Sequence, residues 1–128
     1  MRRIIETDLK KPSAPHAWAI LSNGILQSVH VPIRPDGTIE DGDASLQAEV
    51  TFHDLQATLK AADANFSDVT LVQIFLTSLE HKQAVDDVYQ RFFVEPYPVR
   101  ACIAVSELPT AGTVIEMIVT AVLPQPNC

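Results

Sequence analysis

Apolar positions along this chain switch between a period of two and a period near 3.6, and the switches mark out its elements. Arg3–Glu6 reads as a short first strand, after which Pro12 and Pro15 open a loop carrying Lys10, Lys11, Ser13 and His16. Trp18–Leu21 and Ile25–Ile33 read as strands. Ser22-Asn23-Gly24 between them is a hairpin signal, because Asn and Gly tolerate the positive φ of a tight turn. Pro35-Asp36-Gly37 marks the next turn. From Asp43 or Ser45, either of which can cap a helix, the spacing turns helical to about Ala62, with Leu46, Val50, Leu55, Leu59 and Ala62 on one side. Val69–Thr77 is a β-branched, apolar run that reads as a buried strand. Glu80–Phe93 returns to helical spacing, with Val85, Val88, Tyr89 and Phe92 on one stripe, and Pro96 and Pro98 end it. Val99–Ser106 and Thr113–Leu123 are the last strands, joined through Pro109-Thr110-Ala111-Gly112 and expected to pair as a hairpin.

The order β-β-β-α-β-α-β-β predicts one α+β domain over residues 1–128, with two helices covering one face of a single sheet. In the last strand Ile115, Met117, Val119 and Ala121 alternate with Val114, Ile118 and Val122, so both sides are apolar. Two helices cannot hide both, and self-association is the cheapest cover for the second.

Composition narrows the function. The 128 residues, 47% hydrophobic, suffice for a core without a metal or disulfide. No apolar run approaches the ~18–20 residues of a membrane span, and the start of the chain lacks the apolar stretch of a secretory signal. A cytoplasmic location is expected. Nine Lys+Arg against 16 Asp+Glu, a net charge of −7, opposes a general affinity for nucleic acid. Cys102 and Cys128 have no metal-type spacing, and a disulfide between them is disfavoured in a reducing compartment. The histidines His16, His30, His53 and His81 are scattered, so no metal site is expected. His30 suits a packed, hydrogen-bonded role, whereas His53 and His81 suit solvated helix faces.

Two charges stand alone in apolar strands. In Val99–Ser106, Val99, Ala101, Ile103 and Val105 suit a core, and Arg100, Cys102, Ala104 and Ser106 point the other way. Glu116 is similarly isolated. The register of the strands decides whether Arg100 and Glu116 share a face, and the sequence leaves that open. One reading is a structural salt bridge at a subunit contact. The other is a site in which the guanidinium fork binds a substrate carboxylate and Glu116 positions and deprotonates a water.

The segment Pro98-Val99-Arg100-Ala101-Cys102-Ile103-Ala104-Val105-Ser106-Glu107-Leu108, with Ile115-Glu116-Met117 beyond it, resembles the C-terminal motif of the Rid (YjgF-type) family of reactive intermediate deaminases. The likeness extends over nearly the whole chain, through Ala14-Pro15, Pro35-Asp36-Gly37 and Val88-Tyr89-Gln90-Arg91-Phe92-Phe93. It implies a bacillus chorismate-mutase-like fold, an α/β sandwich with a mixed sheet. It also implies a homotrimer whose sheets form a central barrel, with sites at the subunit interfaces. It further implies that Arg100 grips a substrate carboxylate while Glu116 and the backbone at Cys102 hold the attacking water. No cofactor is implied. His16, Val29 and Asp86 stand where the family often has Tyr, Gly and Asn, so His16 and Val29 are expected at the pocket wall together with Phe93. Trp18 is a further candidate for the same cleft. A carboxylate binder without catalysis and a ribonuclease are the competing functions; Glu116→Gln separates the first, and the charge of −7 speaks against the second.

Overall fold

The structure, a computed structural model, describes residues 1–124. Cys128 therefore lies outside the described residues. Strands β1 (Arg3–Ile4), β2 (Ala19–Ser22) and β3 (Ile25–His30) form an antiparallel meander. Asn23 and Gly24, at φ of 53° and 77°, supply the two-residue turn between β2 and β3. Helix α1 (Ala44–Ala61) starts at Asp43, whose carboxylate accepts from the Leu46 N–H at 2.9 Å. Strand β4 (Val69–Leu76), helix α2 (Lys82–Phe92, preceded by a 3-10 turn), β5 (Val99–Ala104) and β6 (Ile115–Val122) complete the chain.

The elements match the expected order, but the last two strands are not a hairpin. The sheet order is β1-β2-β3-β6-β4-β5, with β4 between β5 and β6. β5 returns parallel to β4 across α2, and β6 pairs antiparallel with both β4 and β3. Parallel pairing requires a crossover, and α2 supplies it. β5 is thereby left as an edge strand.

One face of the sheet packs on the helices. Val72, Ile74 and Leu76 of β4 and Ile115, Met117, Val119 and Ala121 of β6 are buried against Phe52, Leu55 and Leu59 of α1 and Val85, Val88 and Tyr89 of α2. The inward stripe of α1 is rotated from the expected one: Leu46 is 45% exposed, whereas Gln47 and Thr51 are buried. Gln47 tolerates burial because its amide is satisfied, donating to the carbonyls of Gly42 and Gly112 and accepting from the Val114 N–H. It thus clamps the loop leading into β6.

The opposite face is open. Val99 is 71% exposed, Ile103 46% and Ile118 39%, with Ile25 and Val122 also exposed. In β5 the residues expected in the core, Val99 and Ile103, therefore lie on the uncovered side, and Arg100 and Cys102 face the helices. The alternation was legible, but which side met the helices depended on β4 coming between β5 and β6.

Candidate active site

Residues paired across strands share a face of the sheet, so the register places the candidates that lie in strands. Arg100 pairs with Val72, which pairs with Val119; both valines lie under the helices. Glu116 pairs with Phe75, which pairs with Ile103 on the open face. Arg100 and Glu116 thus occupy opposite faces of one sheet, and within a single chain they are neither a salt bridge nor one site. Each sits in its own recess.

The Arg100 recess, about 280 Å³, opens at the β5 edge and is lined by Asp86, Tyr89, Gln90, Tyr97, Pro98 and Arg100. The guanidinium carbon lies 4.8 Å from the centre of the Tyr89 ring, so an aromatic face carries the cation. Asp86 Oδ1 lies 2.7 Å from Arg100 Nη1. The contact is an ion pair. Asp86 Oδ2 accepts from Lys82 Nζ at 2.7 Å, one helical turn earlier. Burial works to raise the Asp86 carboxyl, but the Lys82 hydrogen bond, the Arg100 contact and both cationic charges together hold it below its ordinary value. Burial raises the Tyr89 hydroxyl and the Cys102 thiol, so Cys102 is a poor thiolate. Val105 donates its N–H to Leu76 on β4. Because bonding alternates along a strand, Cys102 turns its backbone N–H and carbonyl toward the open edge.

The Glu116 recess, about 490 Å³, is lined by Ala14, His16, Ala17, Trp18, Val29, Val31, Pro109, Thr110 and Glu116. The structure gathers here three residues singled out from the sequence, His16, Val29 and Glu116, together with Trp18. Trp18 donates its indole N–H to the Lys10 carbonyl and meets the His16 ring edge-on at 5.3 Å, which holds the N-terminal loop over the recess. The Glu116 side chain makes no hydrogen bond or ion pair among the described residues. Desolvation raises its carboxyl above the ordinary value, and the His16 imidazole opposes this in part.

Phe93 joins neither recess. It is 2% exposed, stacked on Tyr89 at 4.5 Å and edge-on to Phe52 and Phe66. The turn of α2 that presents Tyr89 to Arg100 carries Phe93 into the core. Asp86 was legible as a departure from the family pattern, but its ion pair with Arg100 was not.

A third constellation looks catalytic and is not built for it. His30 Nδ1 lies 2.7 Å from Asp54 Oδ2, and His30 Nε2 lies 2.7 Å from Ser28 Oγ. The three residue types match a hydrolase triad, yet Ser28 and His30 point under α1 and are buried. A nucleophile needs access, so this is a buried polar tie between β3 and α1. Among the described residues no group of three or more His, Cys, Asp or Glu side chains gathers in a metal-binding arrangement, and no helix is long and apolar enough to cross a membrane.

Comparison with known proteins converges on one family. Residues 8–123 match the family model described as Endoribonuclease L-PSP. A 2-iminobutanoate/2-iminopropanoate deaminase of Dermatophagoides farinae is 34% identical over 127 residues, covering 92% of this chain and 95% of that protein. Among solved structures, a Rid-family protein of unknown function, YyfA of Yersinia pestis, superposes with a TM-score of 0.88 at 31% identity, covering 96% of this chain and 100% of that one. Escherichia coli TdcF with bound serine gives a TM-score of 0.87 at 26% identity over 95% of this chain and 99% of that one. With two helices on a mixed six-stranded sheet and a match over nearly its full length, the chain belongs to the Rid family of reactive intermediate deaminases.

Proposed function

We propose that this protein hydrolyses reactive 2-imino and enamine carboxylates to ammonia and a 2-oxo acid, in clefts that each join the Arg100 recess of one copy to the Glu116 recess of another. The observation that carries the reading is the division itself. A guanidinium seated on an aromatic ring and an unpartnered, desolvated carboxylate lie on opposite faces of one sheet, and the face bearing the carboxylate is apolar and uncovered. Burying Val99, Ile103, Ile118 and Val122 against a second copy removes apolar area from water. A homotrimer with a closed central sheet surface, as the family resemblance implies, is the assembly favoured here.

In such a cleft Arg100 binds the carboxylate of the imine through paired N–H donors. The edge-facing backbone of Cys102 and the Glu116 carboxylate hold a water, and Glu116 takes its proton as the oxygen adds to the imine carbon. Protonation of the nitrogen follows, the C–N bond of the carbinolamine breaks, ammonia leaves, and the carbonyl of the 2-oxo acid forms. An enamine enters the same path once tautomerised to its imine. His16 and Val29 shape the wall on the Glu116 side. The chemistry requires no cofactor, and the charge of −7 opposes a polyanionic RNA substrate.

The test is imine hydrolysis with substrates generated by an amino-acid oxidase and trapped by semicarbazide, wild type beside Arg100→Ala. The expected result is acceleration by wild type that the variant loses. Equal rates for wild type, variant and buffer across a panel of amino acids would overturn the proposal and leave carboxylate binding as the function.

A further inference from the structure

The Arg100 recess holds more charge than carboxylate binding requires. Lys82, Asp86 and Arg100 form a chain of alternating sign, Nζ to Oδ2 at 2.7 Å and Oδ1 to Nη1 at 2.7 Å. The outer cation is the most exposed, at 47% of its side chain, whereas Asp86 and Arg100 are 21% and 23% exposed. Asp86 is therefore the member closest to the guanidinium and as sheltered as it is. Its oxygen lies 2.7 Å from Nη1, at one end of the guanidinium fork, so it offsets the cation's charge where a planar ligand also binds.

We propose that Asp86 is a specificity-determining residue that weakens carboxylate binding at Arg100, and that Lys82 moderates it by drawing off part of its charge. This rests on the reading of Arg100 as the carboxylate anchor. With Asp86 ionised, two cations and one anion leave the recess one net positive charge, matched to a single carboxylate. An incoming carboxylate meets Asp86 as a like charge beside the same guanidinium. A protein that must release its 2-oxo acid product after each turnover gains from that opposition, since product and substrate present the same carboxylate to Arg100.

The two neighbours of Arg100 thus act with opposite signs, which a merely structural role would not produce. A staple that only held Arg100 in place would weaken binding whichever end was cut. Titration of the full-length protein with pyruvate, followed by calorimetry, reads the difference. Asp86→Asn is expected to tighten binding about tenfold, and Lys82→Met to weaken it about threefold because exposure screens it. In turnover assays Asp86→Asn is expected to lower KM and to strengthen inhibition by added pyruvate to a similar degree. Thermal melts of each variant exclude loss of fold, and Asp86→Ala provides a second neutral variant with the same expected sign. Binding by Asp86→Asn and Asp86→Ala that is weaker than or equal to wild type, with Arg100→Ala losing it, would overturn this inference alone. Binding that survives Arg100→Ala undiminished, or no binding by any variant, would overturn the carboxylate anchor and this inference with it.

Discussion

The two recesses treat a carboxylate in opposite ways. On the helix side, Asp86 is flanked by Lys82 and Arg100, and its carboxyl is held down; on the open side, Glu116 has no ion-pair partner, and burial pushes its carboxyl up. The first half is finished within one chain: cation, counter-ion and aromatic support are in place. The second is left unpaired and partly desolvated, which disfavours its charged form. Groups that a fold leaves uncompensated are candidates for chemistry, and here that group lies beside the surface suited to meet another copy.

The largest expected effect breaks the division directly. Arg100→Ala and Glu116→Gln are each expected to lower imine turnover by at least about a hundredfold, the scale of a lost acid–base or charge-positioning group. If each cleft draws one residue from each of two copies, mixed assemblies of the two inactive variants regain activity in about a quarter of their sites at equal mixing. Assaying co-expressed, differently tagged chains decides this. Mixtures as inactive as their components would place both residues in the same half of the cleft, contrary to the register.

The apolar face comes next. Ile118 is paired with Val29 and Gln73 on the open side, so Ile118→Asp puts a charge where two copies are proposed to meet. Sedimentation is expected to show dissociation to single chains with helix content retained and turnover lost. An unchanged assembly would move the interface elsewhere.

How far the sequence could foresee all this differs between the recesses. Element ends were legible to within three residues, the largest difference being the end of β3 at His30 instead of Ile33, because periodicity and capping are local: Asp43 caps α1 and Asn23-Gly24 turns β2 into β3, as their residue types require. The pairing of β5 with β4 was not, since a crossover and a hairpin leave the same alternation in the strands themselves. That single topological fact inverted the assignment of Val99 and Ile103 and separated Arg100 from Glu116. His16 and Val29 were placed by the resemblance and do line the Glu116 recess. Phe93 lies in the core because the chain leaves α2 there in an extended conformation and seats the ring against Tyr89, Phe52 and Phe66.

A smaller effect tests whether the resemblance of Ser28, His30 and Asp54 to a triad means anything for catalysis. His30→Ala removes two hydrogen bonds and leaves a buried hydroxyl and a nearly buried carboxylate unsatisfied. Urea unfolding is expected to show a loss of about 2–3 kcal/mol, with little change in kcat at a temperature where the variant stays folded. A large fall in kcat at full occupancy of the native state would connect this tie to the cleft.

The smallest effect is the most direct reading of the opposed carboxylates. Asp86 has its folded value lowered, so it contributes stability above its unfolded value, and loses it as pH falls through the folded one. Glu116 has its folded value raised, so it favours the fold when protonated, and that contribution is lost as pH rises through the folded value. At neutral pH Asp86→Asn is therefore expected to lower the melting temperature and Glu116→Gln to raise it. Partial exposure of both groups keeps each shift small. On acidification the Glu116→Gln difference disappears first, below the ordinary carboxylate range, and the Asp86→Asn difference persists until pH falls through the lowered Asp86 value. The measurement is best made in an Ile118→Asn background, which makes the open face polar without adding a carboxylate two residues from Glu116. Shifts of the same sign there would mean that the two carboxylates are not opposed within the chain. Opposite shifts at neutral pH, with the Glu116→Gln difference lost at a higher pH than the Asp86→Asn difference, are the result expected if one half is compensated internally and the other is not.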